Sequence, residues 1–273
     1  MTKIISPNGH IGTIEYLKSI WKSRHLTVAL AKGEIKNQSS LNVTGIFLNI
    51  IQSLIGLAVY WIVFGIALNI KIKTGEIPYP IFVLPGIFIW HYFSAITGYC
   101  SNCFILSQNF IGKLYFPRIC IPLSKVLLGM VDFAIGIVLF IILFICFGQS
   151  ITINWAAFPL IVITIIIFVT TIGLWISFIS LFSMDTTRIA AQLTNFLIFI
   201  TPVFYPGTII PDNFKFILYI NPVAGIIEYS RWSLLGAPLP SSKYLIGIAI
   251  TLVLTISIFF IYKKYEKKIT DLL

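Results

Sequence analysis

Long apolar stretches that lack Asp, Glu, Lys and Arg dominate the chain and predict membrane-spanning helices. A helix that crosses the hydrocarbon core of a bilayer needs about 20 mostly apolar residues. Five stretches qualify, and the longest, 133–184, has room for two helices joined by a turn at Phe147-Gly148-Gln149-Ser150. We therefore predict an all-α integral membrane protein. Its six transmembrane helices are predicted at residues 46–70, 82–106, 121–147, 158–182, 189–206 and 244–262.

The segment before the first span is polar and mixed, without the apolar core of a cleavable signal peptide. Apolar residues recur in it at spacings of three and four, and basic residues occupy the other faces, which is typical of a helix lying on an anionic leaflet. A cytoplasmic helix packed on a partner is the alternative. The apolar positions are Ile11, Ile14, Leu17, Ile20 and Trp21. The predicted organisation is an interfacial segment at 1–40, a transmembrane domain at 41–262 and a cytoplasmic tail at 263–273.

Between the fifth and sixth spans, residues 205–236 form neither a polar loop nor a span. Two apolar pieces of about 12–14 residues flank Asn221-Pro222 and are too short to cross a bilayer. Since proline favours the first turn of a helix, each piece is predicted to be helical. We therefore expect a re-entrant or interfacial helical hairpin on the outer face.

Composition agrees with a lipid environment, because 58% of the residues are hydrophobic, only 10% are charged and the mean hydropathy is +0.97. Soluble domains carry about 25% charged residues. The formal net charge of +10 would otherwise suggest a nucleic-acid partner, but most of the 19 Lys and Arg lie on one side of the predicted spans. Cytoplasmic loops carry this excess, so we place both termini in the cytoplasm, the protein in the plasma membrane, and expect no nucleic-acid partner.

Residues that would support an enzyme are hard to assemble. The sequence contains no G-x-x-x-x-G-K-[ST], H-E-x-x-H or G-x-S-x-G motif, and its three His are scattered. Cys100-x-x-Cys103 has zinc or redox spacing, but it lies in a span with no second pair, which favours helix packing. We predict no catalytic, cofactor or metal site and a protein that is not an enzyme.

Two sets of residues inside the predicted spans remain open to a functional role. Asp132 is an intramembrane charge; Lys125 lies two turns earlier on roughly the same face, so a satisfied pair or a contact to another helix competes with proton coupling. Aromatic residues could form an interfacial belt or line a conduit for sugars. The candidates for the channel or gate are Trp90, Tyr92, Phe93, Phe204, Tyr205, Tyr219, Tyr229 and Trp232.

The second predicted cytoplasmic loop is unusually apolar for an exposed connection. It combines aromatic and basic residues in a short stretch that ends at a proline, which suits insertion into a cleft of a cytoplasmic partner. The residues expected to make this contact are Lys113, Leu114, Tyr115, Phe116, Pro117 and Arg118.

Several motifs along the chain resemble the ABC-2 type permeases of O-antigen, capsule and teichoic acid exporters. The resemblance covers nearly the whole chain, but near the N-terminus the family's Arg-Asp-x-Lys-x-Arg-Tyr run is replaced by 33–39. The motifs that carry it are Leu84-Pro85-Gly86, Phe116-Pro117-Arg118, Thr201-Pro202-Val203-Phe204-Tyr205-Pro206 and Asn221-Pro222.

The resemblance implies a homodimer of this chain with two copies of a separate ATP-binding subunit. The loop around Lys113 to Ile121 would then be the coupling helix that docks on that subunit, and the hairpin from Tyr205 to Gly236 the outer gate. The substrate implied is a polysaccharide on a lipid carrier, exported across the plasma membrane, which is the inner membrane in a Gram-negative cell. The alternatives are an ABC-2 exporter of drugs or lipids and a membrane-embedded transferase.

Overall fold

The structure, a computed structural model, describes residues 12–37, 77–108, 116–183 and 185–271, with the single positions 55 and 62. Within these ranges all the longer elements are α-helices, and short 3₁₀ turns connect some of them. The α-helices are α1 Thr13–Lys22, α2 Arg24–Asn37, α3 Tyr79–Ser101, α4 Cys103–Leu106, α5 Cys120–Cys146, α6 Phe158–Ser180, α7 Thr186–Ile200, α8 Lys215–Ile220, α9 Pro222–Leu235 and α10 Leu245–Asp271. The 3₁₀ turns are Ile153–Ala157, Gly207–Ile209, Asp212–Phe214 and Ser242–Tyr244.

Four helical stretches of the described chain are long and apolar enough to cross a membrane. They match the second, third, fourth and sixth predicted spans, whereas the first, 46–70, lies outside the described residues apart from positions 55 and 62. The predicted turn after α5 is present and contains Gly148 in the left-handed region at φ 63°. The four stretches are Tyr79–Ser101, Cys120–Cys146, Ile153–Ser180 and Ser242–Glu266.

The fifth predicted span differs from the structure in length. Helix α7 has 15 residues, which at 1.5 Å per residue extend about 22 Å, less than the roughly 30 Å hydrocarbon core. It ends at Ile200 because Thr201 takes an extended conformation, ψ 137°, before Pro202. The count of six spans therefore stays a prediction.

The predicted helix break at Asn221-Pro222 is present. The Asn221 Oδ1 accepts a hydrogen bond from the Val223 backbone N–H at 3.0 Å and so caps α9. Helix α9 ends before Gly236, which has φ 66°. On the other side of the break the helix covers only Lys215–Ile220, shorter than the predicted piece. Whether the two pieces re-enter the membrane stays a prediction.

Helix α3 is the centre of the bundle. Its apolar window is 78% buried, whereas the windows of the other three candidate spans are 22–33% buried. Aromatic rings carry much of this packing: Tyr92 of α3 stacks on Phe133 of α5 with ring centroids 4.8 Å apart. Around α3 the chain forms two ends, which we call the terminal end, with Tyr16, Arg118 and Glu266, and the hairpin end, with Tyr79 and residues 201–244.

At the hairpin end, a bend without regular helix, Thr201–Pro206, lies directly against α3. We call it the 201–206 bend. A Cβ placed on Gly86 would lie 2.8 Å from the Val203 carbonyl oxygen and 3.1 Å from its Cα. Only the absence of a side chain at Gly86 permits this backbone-to-backbone approach.

Replacing Gly86 with Ala should therefore destabilise the protein by about 1–3 kcal/mol, because the bend must move away from α3. The matched control on the same helix is Gly98→Ala, since a Cβ at Gly98 meets nothing within 4 Å. Thermal unfolding of the purified protein in detergent measures both variants. Equal melting temperatures for the two would contradict the close approach.

Candidate functional site

A fully buried arginine, Arg231 of α9, holds the 201–206 bend at the hairpin end. Its Nη2 donates to the Val203 carbonyl at 2.7 Å, and its Nη1 donates to the Tyr205 carbonyl at 3.2 Å. Its Nε donates to the Phe82 carbonyl of α3 at 3.2 Å, and the guanidinium lies 3.9 Å from the centroid of the Phe82 ring. One side chain thus joins three segments of the chain, and we call this arrangement the Arg231 clamp.

The charge of the clamp is balanced by Glu228, one helical turn earlier on α9. Its Oε1 accepts from Arg231 Nη1 at 3.1 Å and from the Gly207 backbone N–H at 3.0 Å. The Glu228 side chain is 18% exposed and that of Arg231 is 0% exposed. Because a buried charge is tolerated only when it is paired and hydrogen-bonded, Glu228 offsets the cost of burying the Arg231 guanidinium.

Two further hydrogen bonds hold the bend at its ends. Tyr79 at the start of α3 donates to the Phe204 carbonyl at 2.9 Å. Asn221 at the helix break donates through its amide nitrogen to the Thr201 hydroxyl at 2.9 Å. Side chains of α3 and α9 thus bond the carbonyls of Val203, Phe204 and Tyr205, and the side chain of Asn221 holds the first residue of the bend.

The predicted channel aromatics are not gathered around an open conduit within one copy of the described chain. Trp90, Tyr92, Phe93 and Phe204 are between 0% and 7% exposed. Tyr205 is half-buried and donates to the carbonyls of Phe199 and Ile200, each at 3.0 Å. Tyr219, Tyr229 and Trp232 are half-buried at the hairpin end. The first four are thus packed between helices in one copy, and a role of the eight residues in a channel or gate stays a prediction.

An exposed polar stripe on α7 was not foreseen. Helix α7 packs on the bundle through Thr186, Ala190 and Thr194. On the opposite side of the helix the side chains are exposed and polar at spacings of three and four, followed by an aromatic residue. We call these residues, Arg188, Gln192, Asn195 and Phe199, the α7 stripe. Exposed amides and a guanidinium are costly against lipid, so such a face belongs toward water or another protein chain.

Beside α7 lies an apolar cavity of about 400 Å³ between α3, α6, α10 and the helix break. Trp90 and Phe93 face it, which places two of the predicted channel aromatics at its wall. Its polar side chains are bonded within the protein: the Thr171 and Thr255 hydroxyls lie 2.5 Å apart, and Thr251 donates to the Gly247 carbonyl at 3.0 Å. The cavity therefore offers apolar surface with few free polar groups.

At the terminal end, the described part of the predicted partner contact is buried inside the chain. Phe116 and Arg118 are each 6% exposed, and the Arg118 guanidinium lies 5.0 Å from the centroid of the Phe116 ring. Pro117 is half-buried. Within one chain the side chains of Phe116 and Arg118 therefore pack against the bundle, and their contact with a partner stays a prediction. Lys113, Leu114 and Tyr115 lie outside the described residues.

The carboxylate of Glu266 lies beside this anchor. It accepts a hydrogen bond from the Arg118 backbone N–H and another, at 2.6 Å, from the Tyr16 hydroxyl. Burial and the neighbouring Glu266 raise the pKa of Tyr16 well above its usual value. The phenol therefore stays protonated at physiological pH and remains a donor.

The two intramembrane charges have different partners from those that the helical spacing suggested. Lys125 pairs with Glu34 of α2 at 2.5 Å and not with Asp132, which was one of the alternatives that the spacing left open. Asp132 instead accepts a hydrogen bond from Tyr99 of α3 at 3.4 Å, which is the predicted contact to another helix. Because Tyr99 satisfies the carboxylate, the geometry gives no support to proton coupling.

The Cys100-x-x-Cys103 pair is buried in helix packing, as expected. Both thiols are free, and the Cys100 Sγ lies 3.9 Å from the Pro122 carbonyl of α5. Among the described residues no group of His, Cys, Asp and Glu could hold a metal ion.

Comparison with known proteins gives a family and curated relatives. The profile of the ABC-2 type transporter family matches residues 25–235, more than half of the chain. An O-antigen export system permease protein RfbA of Klebsiella pneumoniae is 26% identical over 84% of this chain and 88% of its own length. A protein of the same name from Myxococcus xanthus is 22% identical over 86% of this chain and 90% of its own length.

Replacing Arg231 with Gln should destabilise the protein by about 3–5 kcal/mol, because Glu228 would be left without its buried partner and two carbonyls of the bend without a donor. Arg24→Gln, at an exposed arginine of α2, is the matched control and should change stability by less than about 0.5 kcal/mol. Thermal unfolding in detergent compares them. A small, equal loss in both would show that the clamp does not stabilise the bend.

Proposed function

The chain belongs to the ABC-2 type transporter family, and we propose that it is the permease subunit of an ATP-driven exporter of lipid-linked surface polysaccharide. The names of the curated relatives support this substrate class, and the alignments extend over most of each chain. The chain contributes the path through the membrane and no catalytic chemistry of its own.

The α7 stripe is the observation that carries the proposal. It presents Gln192 and Asn195 on the side of α7 that faces away from the bundle. Amide side chains both donate and accept hydrogen bonds, as sugar hydroxyls do, and the ring of Phe199 offers a surface for the C–H faces of a sugar. A glycan passing along α7 would exchange hydrogen bonds with water for hydrogen bonds with the stripe.

A single copy leaves the stripe open to its surroundings, so the path needs a second wall. Two copies that face each other through α7 would enclose a polar path and shield it from lipid. Most oligomers of identical chains are symmetric, and the two-fold dimer is the commonest form, which agrees with this arrangement. We propose the homodimer on this ground, with the path between the two copies.

Energy for export would come from two copies of an ATP-binding subunit. The sequence lacks the phosphate-binding motif G-x-x-x-x-G-K-[ST], which supports a separate source of ATP hydrolysis. The loop of residues 109–118 is proposed to contact that subunit at the terminal end. Both termini and this loop then face the cytoplasm, and the hairpin end faces outward, as the distribution of Lys and Arg favours.

Deletion of the gene tests the substrate class. Lipid-linked glycan should accumulate in the cytoplasmic leaflet and disappear from the cell surface, and a plasmid copy of the gene should restore surface glycan. The measurement is extraction of lipid-linked glycan together with surface labelling. Normal surface glycan combined with sensitivity to drugs would instead assign the chain to the drug-exporting members of the family.

The double variant Gln192→Leu with Asn195→Leu should lower glycan export by about tenfold. Two hydrogen bonds to the glycan, about 0.5–1.5 kcal/mol each, would be lost. Assembly with the ATP-binding subunit should stay unchanged. The matched control is Ile189→Leu with Phe196→Leu on the neighbouring apolar face of α7. Export is followed by surface labelling in complemented cells. Unchanged export in the first variant would remove the stripe from the path.

A further inference from the structure

One carboxylate at the terminal end joins three distant parts of the chain. Glu266, near the end of α10, accepts from the Tyr16 hydroxyl of α1 with its Oε2 and from the Arg118 backbone N–H with its Oε1. Arg118 is the last residue of the loop that is proposed to contact the ATP-binding subunit. The carboxylate is therefore the link between the end of that loop and helix α10.

Two other contacts attach the end of α10 to α1 and α6. Lys263 donates to the Thr13 hydroxyl of α1 at 2.8 Å. The Tyr262 hydroxyl lies 2.6 Å from the Ser177 hydroxyl of α6 and is fully buried. These contacts fix the end of α10 against α1 and α6.

The other end of α10 reaches the helix break. A Cβ on Gly247 would lie 3.0 Å from both the N and Cα of Pro222, so the two backbones touch. Just before α10, the Tyr244 ring packs edge-on against Tyr219 with centroids 5.1 Å apart. Helix α10 has 27 residues and so extends about 40 Å. One rigid element thus connects Glu266 with the hairpin end.

We propose that Glu266 is a positioning residue that couples the loop before Arg118 to the hairpin end through α10. The inference rests on the proposed function, since it assumes an ATP-binding partner that displaces the loop. Displacement of the loop moves the Arg118 backbone, and the hydrogen bond to Glu266 passes this movement to α10. A packed helix with a contact at each end is a physical route for such coupling.

The negative charge of Glu266 is essential to this role, whereas the bond to Tyr16 is not. Hydrogen bonds to a carboxylate are about twice as strong as neutral ones. The Glu266→Gln variant keeps the shape of the side chain and can still accept from Arg118, but it weakens the link. The Tyr16→Phe variant removes the hydrogen bond to the α1 tyrosine and leaves the bond between Arg118 and Glu266 in place.

The test follows movement at the hairpin end when ATP binds. A fluorescent maleimide whose emission depends on its surroundings is attached to Asn213→Cys, an exposed position before α8. The background carries Cys146→Ser, because Cys146 is the exposed cysteine of the described chain whereas Cys100, Cys103 and Cys120 are buried. The complex with its ATP-binding subunit is reconstituted in phospholipid vesicles, and the fluorescence change on adding ATP is measured at equal amounts of assembled complex.

Glu266→Gln should reduce the ATP-dependent fluorescence change at least about fivefold, the lower range of allosteric coupling. Tyr16→Phe and the exposed control Glu15→Gln should each stay within about twofold of the unsubstituted complex. ATP hydrolysis by the complex should continue in all of them, so the fluorescence change per ATP hydrolysed falls only in Glu266→Gln.

Three results would overturn the inference: an unchanged signal in Glu266→Gln, an equal loss in Glu266→Gln and Tyr16→Phe, or a Glu266→Gln chain that no longer assembles. The last two would assign the cluster to stability alone. If the complex that carries none of these three substitutions gives no ATP-dependent signal, that result would count against the proposed function itself.

Discussion

The need to satisfy backbone polar groups away from water governs this structure. Wherever a membrane helix stops, its last carbonyls lose their partners, and lipid offers no replacement. In this chain α7 stops at Ile200, and the carbonyls of the following bend are taken up by Arg231 and Tyr79. The position of α9 and the approach of Gly86 to Val203 depend on this solution. The hairpin end is thus organised around one cation.

The same requirement explains why the charged residues of the bundle are paired across helices whereas its aromatic residues fill space. Lys125, Glu34 and Asp132 are paired or hydrogen-bonded across helices, so they fasten the bundle together. The most buried aromatics fill the space around α3. The side chains of Arg188, Gln192 and Asn195 lie on the exposed side of α7. This contrast between satisfied interior groups and an exposed polar face separates structural residues from those of the proposed path.

The sequence predicted the structure best where a single property of a segment determines whether and where a helix forms. Charge-free length located four membrane-spanning helices, and proline chemistry located the break at Asn221-Pro222. The sequence predicted least where the partner of a residue depends on which helices pack together. Spacing along α5 put Lys125 on the face of Asp132, but α2 packs there and brings Glu34. Arg231 did not stand out in the sequence, because no local pattern shows that it donates to three carbonyls.

The packing of neighbouring helices also determines where the aromatic and loop residues lie. Trp90, Tyr92 and Phe93 have the composition of a sugar-binding surface, yet α3 carries them to the centre of the bundle. The side chain of Arg118 has the chemistry of a docking contact, yet it lies buried beside Phe116. For the α7 stripe the signal was present in the sequence: polar residues recur at helical spacing in an otherwise apolar segment.

The shortness of α7 has a consequence for the lipid around the protein. As the predicted fifth span, a helix of 15 residues would be several Å shorter than the hydrocarbon core. Hydrophobic mismatch of this kind is relieved by local thinning of the bilayer or by association with another chain, at a cost that rises with each Å. The acyl-chain length of the host membrane would then act directly on α7 and on the bend that follows it.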